Sequence, residues 1–101
     1  MFDLTGFQRD LLFVTAGLDA PNGLDVKDEL EEYYGTPINH GRLYPNLDTL
    51  VDKGLVDKRK RDQRTNAYSL TARGRREILD RESWEHQYVE ELVEEEAESV
   101  R

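Results

Sequence analysis

Apolar residues recur at helical spacing in the first third of the chain, and this pattern predicts two helices. The first helix begins after Thr5, which forms a capping box with Gln8, and ends near Leu18. The second begins at Asn22, whose side chain caps free backbone N–H groups, and is stopped by residues 35–37 (GTP). The apolar contacts are expected from Phe7, Leu11, Leu12, Thr15 and Leu18 in the first helix, and from Leu24, Val26, Leu30 and Tyr33 or Tyr34 in the second.

A third helix is predicted to begin between Asn39 and Arg42 and to end before Gly54, which is expected in the left-handed conformation that closes helices. Its narrow apolar stripe indicates one face on the core. The stripe consists of Leu43, Leu47, Leu50 and Val51. Pro45 is tolerated only in a first turn, so either the helix begins close to Arg42 or one backbone hydrogen bond is lost.

After Gly54 the period of the pattern changes from helical to alternating. Residues 54–58 (GLVDK) are predicted as a short strand that pairs with residues 67–70 (AYSL). Residues 59–66 (RKRDQRTN) lie between them and are too charged to pack, which predicts a hairpin with an exposed basic loop. Thr71 is expected to cap a long final helix that runs to about Glu98. The predicted fold is α+β, mostly α, a winged helix-turn-helix with a long C-terminal helix.

Charge is distributed unevenly along this order of elements. The formal net charge is −8, yet residues 58–76 carry eight basic residues against one acidic residue. Because phosphate binding requires a basic surface, this island predicts where nucleic acid would bind. The acidic remainder, with only four lysines among 14 basic residues, is typical of a surface kept soluble in molar salt. An ordinary acidic protein with an acidic tail is the alternative.

Several classes of function find no support in the residues. The chain has no cysteine, which excludes disulfides, thiolate zinc sites and thiol redox sensing. His40 and His86 have no metal-ligand spacing, and no nucleophile elbow, P-loop or Gly-rich dinucleotide turn is present. No apolar run reaches the ~18 residues of a membrane span, and the first residues lack the features of a signal peptide. We expect a cytoplasmic protein with no cofactor, no metal and no enzymatic activity.

Three segments in a fixed order resemble the PadR family of transcriptional regulators. They are residues 41–50 (GRLYPNLDTL), residues 53–56 (KGLV) and residues 68–74 (YSLTARG). The resemblance spans roughly residues 5 to 80, and the acidic surface is most similar to the haloarchaeal RosR-type members. It implies a DNA-binding homodimer joined through C-terminal helices, with a link to oxidative stress. The chain departs from the larger members of the family, because only one helix follows the wing and they have several. A large effector-binding compartment is therefore not expected.

In a winged helix the recognition helix enters the major groove, and its outward side chains near the helix start are the candidate base readers. These are Asn39, His40, Arg42, Asn46 and Thr49. Arg42 is suited to guanine, and Asn46 or Asn39 to adenine. For Asn39 a plain helix cap is the favoured alternative, and for His40 an exposed turn residue weighs equally with a phosphate contact.

The wing is the stronger candidate for phosphate or minor-groove binding. Its basic residues are Lys58, Arg59, Lys60, Arg61 and Arg64. The last four have few acidic residues nearby, so their charge is expected to be available to phosphates. A solvated charge run is the alternative. Arg73, Arg75 and Arg76 oppose the dipole of the last helix, and either DNA or the carboxylates of Glu77 and Asp80 would compensate them.

The last helix carries more apolar residues than one core-facing stripe requires. They are Ile78, Leu79, Trp84, Tyr88, Val89, Leu92, Val93 and Val100. One face is expected to return to its own domain, while the face around Trp84, Tyr88 and Leu92 contacts a second subunit. A small-effector pocket between the subunits is the less favoured alternative. Residues 1–71 would then bind DNA and residues 72–101 would dimerise, within one compact domain.

The sequence therefore favours a homodimeric, sequence-specific regulator that binds double-stranded DNA in high salt. The alternative is a winged-helix module whose wing docks on an acidic protein partner without specific DNA binding. We hypothesise that acidic faces near the DNA take up cations and so offset the cations released on binding.

Overall fold

The computed structural model describes residues 1–99, so the expectations for Val100 and for the last two residues of the 72–101 segment lie outside the described residues. Four helices and a two-stranded antiparallel hairpin follow one another along the chain, which confirms the predicted winged helix-turn-helix. The elements are α1 (Gly6–Gly17), α2 (Gly23–Tyr34), α3 (His40–Asp52), β1 (Val56–Lys60), β2 (Asn66–Leu70) and α4 (Ala72–Ser99).

Side-chain caps determine where the first two helices begin. The Thr5 hydroxyl accepts from the Gln8 N–H while the Gln8 side chain accepts from the Thr5 N–H, which confirms the predicted capping box. Asn22 caps α2 as expected, and Asp25 completes a second box that the sequence reading did not anticipate. Gly35 then ends α2 in the left-handed conformation.

Helix α3 begins at His40, although a start closer to Arg42 would place Pro45 in the first turn, where proline is tolerated. Pro45 therefore lies in the second turn, and of the two predicted solutions the chain adopts the one that gives up a backbone hydrogen bond. The apolar stripe explains why the helix persists, since Leu43, Leu47 and Leu50 are fully buried.

A single apolar core joins α1, α2, α3 and the base of the hairpin. It consists of Leu4, Phe7, Leu11, Leu12, Val26, Leu30, Ile38, Leu43, Leu47, Leu50, Leu55, Val56 and Tyr68. One predicted contact in α2 is wrong, because Leu24 is exposed and borders a groove beside Tyr44. Of the two tyrosines left open, Tyr33 is exposed, and Tyr34 supplies the aromatic contact of α2 with the core.

Strand β1 lies two residues further along the chain than predicted, whereas β2 begins one residue earlier than predicted. Strand β1 starts at Val56 and runs to Lys60, and Lys58 pairs opposite Tyr68 in the register of the ladder. Lys58, Arg59 and Lys60 are thus strand residues, so the expectation that the loop begins at Arg59 is wrong. The strand extends because Arg59 and Lys60 pair with Ala67 and Asn66, which leaves a turn of residues 61–65.

Helix α4 is capped by the Thr71 hydroxyl, which accepts from the Gly74 N–H at 3.0 Å. Gly74 is buried against the Leu55 carbonyl, and Ile78 is half-buried one turn later. Every residue from 82 to 99 is exposed. The expectation that a whole face of this helix returns to its own domain is therefore wrong beyond the first two to three turns. None of the helices within residues 1–99 is long and apolar enough to cross a membrane.

Candidate nucleic-acid interface

The turn of the wing is organised by one carboxylate. Asp62 Oδ1 accepts from the backbone N–H groups of Arg64 and Thr65, each at 2.9 Å, and the Arg61 N–H donates to the Thr65 carbonyl at 2.8 Å. These backbone donors lower the pKa of Asp62. Asp62 is the only acidic residue of the turn, and it serves to fold the turn that presents the neighbouring cations.

Two contacts tie the wing to the segment between α1 and α2. The Tyr68 N–H donates to the Pro21 carbonyl at 2.8 Å, and the Arg61 guanidinium donates to the Ala20 carbonyl. Arg61 was expected to keep its charge free of protein partners. Its charge stays uncompensated, but one of its donors holds the wing against the body of the domain.

The five basic residues of the wing are not equivalent. Lys58 Nζ lies 2.9 Å from Asp48 Oδ1 of α3, and this ion pair raises the pKa of Lys58. Lys58, a predicted wing contact, therefore shares its charge with a carboxylate of the same domain. Arg59, Lys60 and Arg64 are exposed, and within residues 1–99 no carboxylate lies within 4.0 Å of their charged groups.

Strand alternation divides these cations between two faces of the hairpin. Lys58 and Lys60 share the face that carries buried Tyr68, on the side of α3, whereas Arg59 shares the opposite face with Asp57. A nucleic acid lying along the tip therefore meets Arg64 in the turn and one or the other set of strand cations.

At the start of α3 the polar side chains have distinct roles. Asn39 is the N-cap, and its side-chain oxygen accepts from the Arg42 N–H at 2.8 Å, so the cap interpretation of Asn39 is confirmed. His40 is exposed and lies edge-on to Tyr44, with ring centroids 5.7 Å apart. The Arg42 guanidinium lies over the Phe7 ring, 3.9 Å from its centroid.

Further along α3, the two remaining candidate readers are half-buried and engage the protein. Asn46 Nδ2 donates to the Arg42 carbonyl at 2.7 Å, and Asn46 Oδ1 accepts from Gln8 Nε2 at 3.0 Å. The Thr49 hydroxyl donates to the Pro45 carbonyl at 3.0 Å. Each keeps two unused hydrogen-bonding sites, because an amide has four sites, of which Asn46 uses two, and a hydroxyl has three, of which Thr49 uses one.

Tyr44 is a residue of this region that the sequence reading did not single out. Its ring lies so close to the first residue of α2 that a Cβ on Gly23 would be 2.6 Å from the ring. Together with Arg64 and Asn66 of the wing, Tyr44 lines a groove of about 180 Å³ between the three elements. Two features of the sequence could have indicated this contact. Tyr44 lies beside the leucine stripe of α3, and Gly23 directly follows the helix cap Asn22.

The exposed part of α4 carries the predicted aromatic face. Trp84 and Tyr88 lie edge to face with ring centroids 5.2 Å apart, and the Arg81 guanidinium covers the Trp84 ring. Trp84 is 49 % exposed, Tyr88 66 % and Leu92 59 %. Apolar surface of this extent on a projecting helix is characteristic of an interaction site.

The arginines at the start of α4 form no ion pair with Glu77 or Asp80, the two carboxylates considered for them. Glu77 instead accepts from the N-terminal ammonium of Met1 at 2.9 Å. Within the described residues, no carboxylate lies within 4.0 Å of Arg73, Arg75 or Arg76. No group of three or more metal-ligating side chains comes together in residues 1–99 either.

Comparison with known proteins supports the winged helix-turn-helix fold. The family model of the "Transcriptional regulator PadR-like family" matches residues 12–80. A complex structure of RosR, designated RosR-S1, is 45 % identical with a TM-score of 0.81, and the match covers 99 % of this chain and 97 % of that chain.

A further structure of RosR, from the halophilic archaeon Halobacterium salinarum and grown from NaBr, is 47 % identical over 96 % of both chains, with a TM-score of 0.79. A structure of MarR, 22 % identical with a TM-score of 0.63, covers 98 % of this chain and 72 % of that chain, and it supports the fold alone. No curated protein sequence is significantly similar. The chain belongs to the PadR-like family, which consists of transcriptional regulators rather than enzymes.

Proposed function

We propose that the chain is a sequence-specific regulator that binds double-stranded DNA as a homodimer in a high-salt cytoplasm. The observation that carries the proposal is the position of the unpaired cations Arg59, Lys60 and Arg64. They lie on a wing next to the recognition helix, in a protein whose net charge is −8. Counterion release from DNA phosphates supplies the affinity of such a surface.

The first two turns of α3 enter the major groove. Arg42 is the leading base reader, because its guanidinium edge has no hydrogen-bond partner among the described residues and suits guanine. His40 contacts a phosphate or a base at the groove edge. Asn46 and Thr49 use their remaining hydrogen-bonding capacity, whereas Asn39 serves first as the helix cap.

The wing lies along the backbone or in the minor groove, where Arg59, Lys60 and Arg64 supply the contacts. Arg61 contributes its charge while it holds the wing on Ala20. Lys58 contributes less, since its charge is shared with Asp48.

Two copies of α4 pair through the face that contains Trp84, Tyr88 and Leu92. This pairing is supported by the exposure of residues 82–99, which extend about 27 Å at 1.5 Å per residue. A helix that exposes so much apolar surface gains most of its stability from packing. The two recognition helices of a two-fold dimer read half-sites about 10 bp apart or a multiple of that. Residues 1–71 thus bind DNA and residues 72–101 join the subunits.

The decisive experiment compares DNA binding by wild type and by Arg59→Ala/Arg64→Ala in ~1 to 2 M KCl, where screening reduces non-specific attraction. The probes are genomic fragments that include the promoter of the protein's own gene. Arg61 stays unchanged, because its replacement would also detach the wing from Ala20. We expect wild type to retain particular fragments and the variant to lose them.

Lys27→Ala/Lys53→Ala is the matched control, since it removes the same charge outside the wing, from two cations that already pair with carboxylates. Equal loss in both variants would assign binding to overall charge and not to the wing. If wild type retains no fragment at any salt concentration, the proposal fails, and the wing should be tested for binding to an acidic protein partner.

A further inference from the structure

The first turn of α1 contacts the base-reading side of α3 through two side-chain amides. Gln8 Oε1 accepts from the Thr5 N–H at 3.1 Å, and Gln8 Nε2 donates to Asn46 Oδ1 at 3.0 Å. Asn46 Nδ2 in turn donates to the Arg42 carbonyl at 2.7 Å. The chain of hydrogen bonds thus begins at a backbone donor in α1 and ends at a backbone acceptor in α3.

Only one orientation of the two amides satisfies both ends of this chain. The Thr5 N–H can only donate and the Arg42 carbonyl can only accept, so Gln8 must present its NH₂ group and Asn46 its oxygen to each other. If either amide turned by half a revolution, two donors or two acceptors would face each other. Gln8 and the Arg42 carbonyl together therefore determine which way the Asn46 amide points.

The same turn of α1 supports Arg42. The guanidinium lies over the buried Phe7 ring, 3.9 Å from its centroid, and its N–H groups donate to no other group within residues 1–99. Phe7 itself packs against Tyr34, with ring centroids 6.4 Å apart, and the Tyr34 hydroxyl donates to Asp10 at 2.5 Å. The ring beneath Arg42 is therefore held in place from behind.

We infer that Gln8 and Phe7 are positioning residues for DNA sequence recognition, with Gln8 orienting the Asn46 amide and Phe7 holding the Arg42 guanidinium. The inference rests on the proposed DNA-binding function and deepens it. An amide reads adenine through an oxygen acceptor and an NH₂ donor in a defined order, and a guanidinium reads guanine with its edge. Residues that set these orientations contribute to base preference although they contact no base.

Gln8→Glu tests the first half of the inference. The introduced carboxylate still accepts from the Thr5 N–H, so the capping box is kept and the midpoint of thermal unfolding should change little. Its second oxygen cannot donate to Asn46 Oδ1 and attracts the Asn46 NH₂ group instead, so it competes with the Arg42 carbonyl for the orientation of the Asn46 amide. Wild type and variant are each mixed with a library of duplexes with a randomised core, and the bound duplexes are sequenced.

We expect Gln8→Glu to reduce the preference at one base-pair position per half-site about fivefold or more, the lower bound for losing a two-pronged contact. Gln63→Glu adds the same charge at the exposed wing turn and should lower affinity for all sequences alike. In an Asn46→Ala background, Gln8→Glu should cause no further change in preference.

A Gln8→Glu profile identical to wild type, or a uniform loss like that of Gln63→Glu, would overturn the inference while the proposed function stands. Additive effects of Gln8→Glu and Asn46→Ala would overturn it as well. A wild-type protein that enriches no sequence would refute the proposed function, and the inference with it.

Phe7→Leu tests the second half, because leucine fills the core but offers no ring to Arg42. We expect about a fivefold loss of preference at a G·C position. The loss should vanish in an Arg42→Ala background, since Phe7 then has nothing to position. A loss that persists in that background would assign Phe7 to core packing alone.

Discussion

Lys58 Nζ of β1 lies 2.9 Å from Asp48 Oδ1 of α3, so an ion pair joins the wing to the helix proposed to read DNA. Both groups are partly exposed, so the pair itself adds little to stability. Its main consequence is electrostatic. It places a carboxylate next to the proposed DNA path and occupies one cation of the wing.

We predict that Asp48→Asn increases affinity for DNA of any sequence by a few-fold, because Lys58 becomes available to a phosphate and a repulsive charge is removed. The slope of log affinity against log salt should become steeper by about one unit. Fluorescence anisotropy with an arbitrary duplex measures both quantities. Asp57→Asn removes the same charge from the opposite face of β1 and should have a smaller effect. Equal effects would mean that the ion pair plays no part.

Gly74 is predicted to tolerate no side chain, because a Cβ there would collide with the Leu55 carbonyl. Gly74→Ala must shift α4 away from the hairpin, and we expect a loss of about 2 kcal/mol or more in the free energy of unfolding. Gly17→Ala is the control, since nothing lies within 4 Å of its Cβ position. That change should be neutral or stabilise α1 by up to about 1 kcal/mol. Urea unfolding monitored by circular dichroism distinguishes the two, and equal stability of both variants would refute the packing argument.

Subunit pairing through α4 predicts that Leu92→Glu converts the protein to a monomer at micromolar concentration, because a carboxylate would be buried in an apolar interface. Ser83→Glu introduces the same group on the opposite side of the helix and should leave the dimer intact. Sedimentation equilibrium measures both masses. A Leu92→Glu variant that stays dimeric would exclude this face as the interface.

Local signals account for most of the agreement between sequence and structure. Thr5, Asn22 and Thr71 each combine a capping side chain with a following periodic segment, and the three helix starts they predict are confirmed. Errors arise where a partner element decides. Leu24 has an apolar side chain in an amphipathic helix, but it lies at the rim of the groove beside Tyr44 and stays 47 % exposed.

The candidate site was predictable in its residue types and not in its pairings. The basic island pointed to the wing, yet nothing local links Lys58 with Asp48 or Asn46 with Gln8, which lie 10 and 38 residues apart in sequence. Such contacts depend on how helices and strands pack. They also decide which cations are free and which amide orientations are possible, and the chemistry of the site follows from both.

Tyr34 provides a prediction for alkaline pH. Burial and the hydrogen bond to Asp10 raise the pKa of Tyr34 from 10 to about 12, with a smaller opposing effect of Arg42. The neutral phenol is thus favoured in the folded state, so its contribution to stability is complete below pH 10 and is lost as the pH rises through 12.

Tyr34→Phe should therefore reduce the loss of stability between about pH 9 and about pH 12 by roughly 1 kcal/mol, a value discounted for partial exposure. Urea unfolding at both pH values measures the difference. Burial also raises the pKa of Tyr68, so part of the alkaline loss should remain in the variant. An unchanged loss in Tyr34→Phe would show that Tyr34 does not titrate as described.

The acidic residues beside the wing lead to a prediction about salt. Ordinary DNA binding weakens steeply with salt, because cations leave the phosphates when the protein binds. Asp48 and Asp52 lie on α3 near Lys58, so a phosphate that approaches this surface brings like charges together and favours cation uptake between them. Cation uptake by the carboxylates offsets cation release from the phosphates, and we expect wild-type affinity for DNA to decline only weakly between ~0.5 and ~2 M KCl.

Asp48→Asn/Asp52→Asn should bind DNA more tightly than wild type at the lower KCl concentration and lose affinity more steeply as KCl rises. Glu94→Gln/Glu95→Gln removes the same charge near the far end of α4 and should follow the wild-type slope. A steep wild-type decline, or equal slopes for both double variants, would show that these carboxylates do not confer salt tolerance.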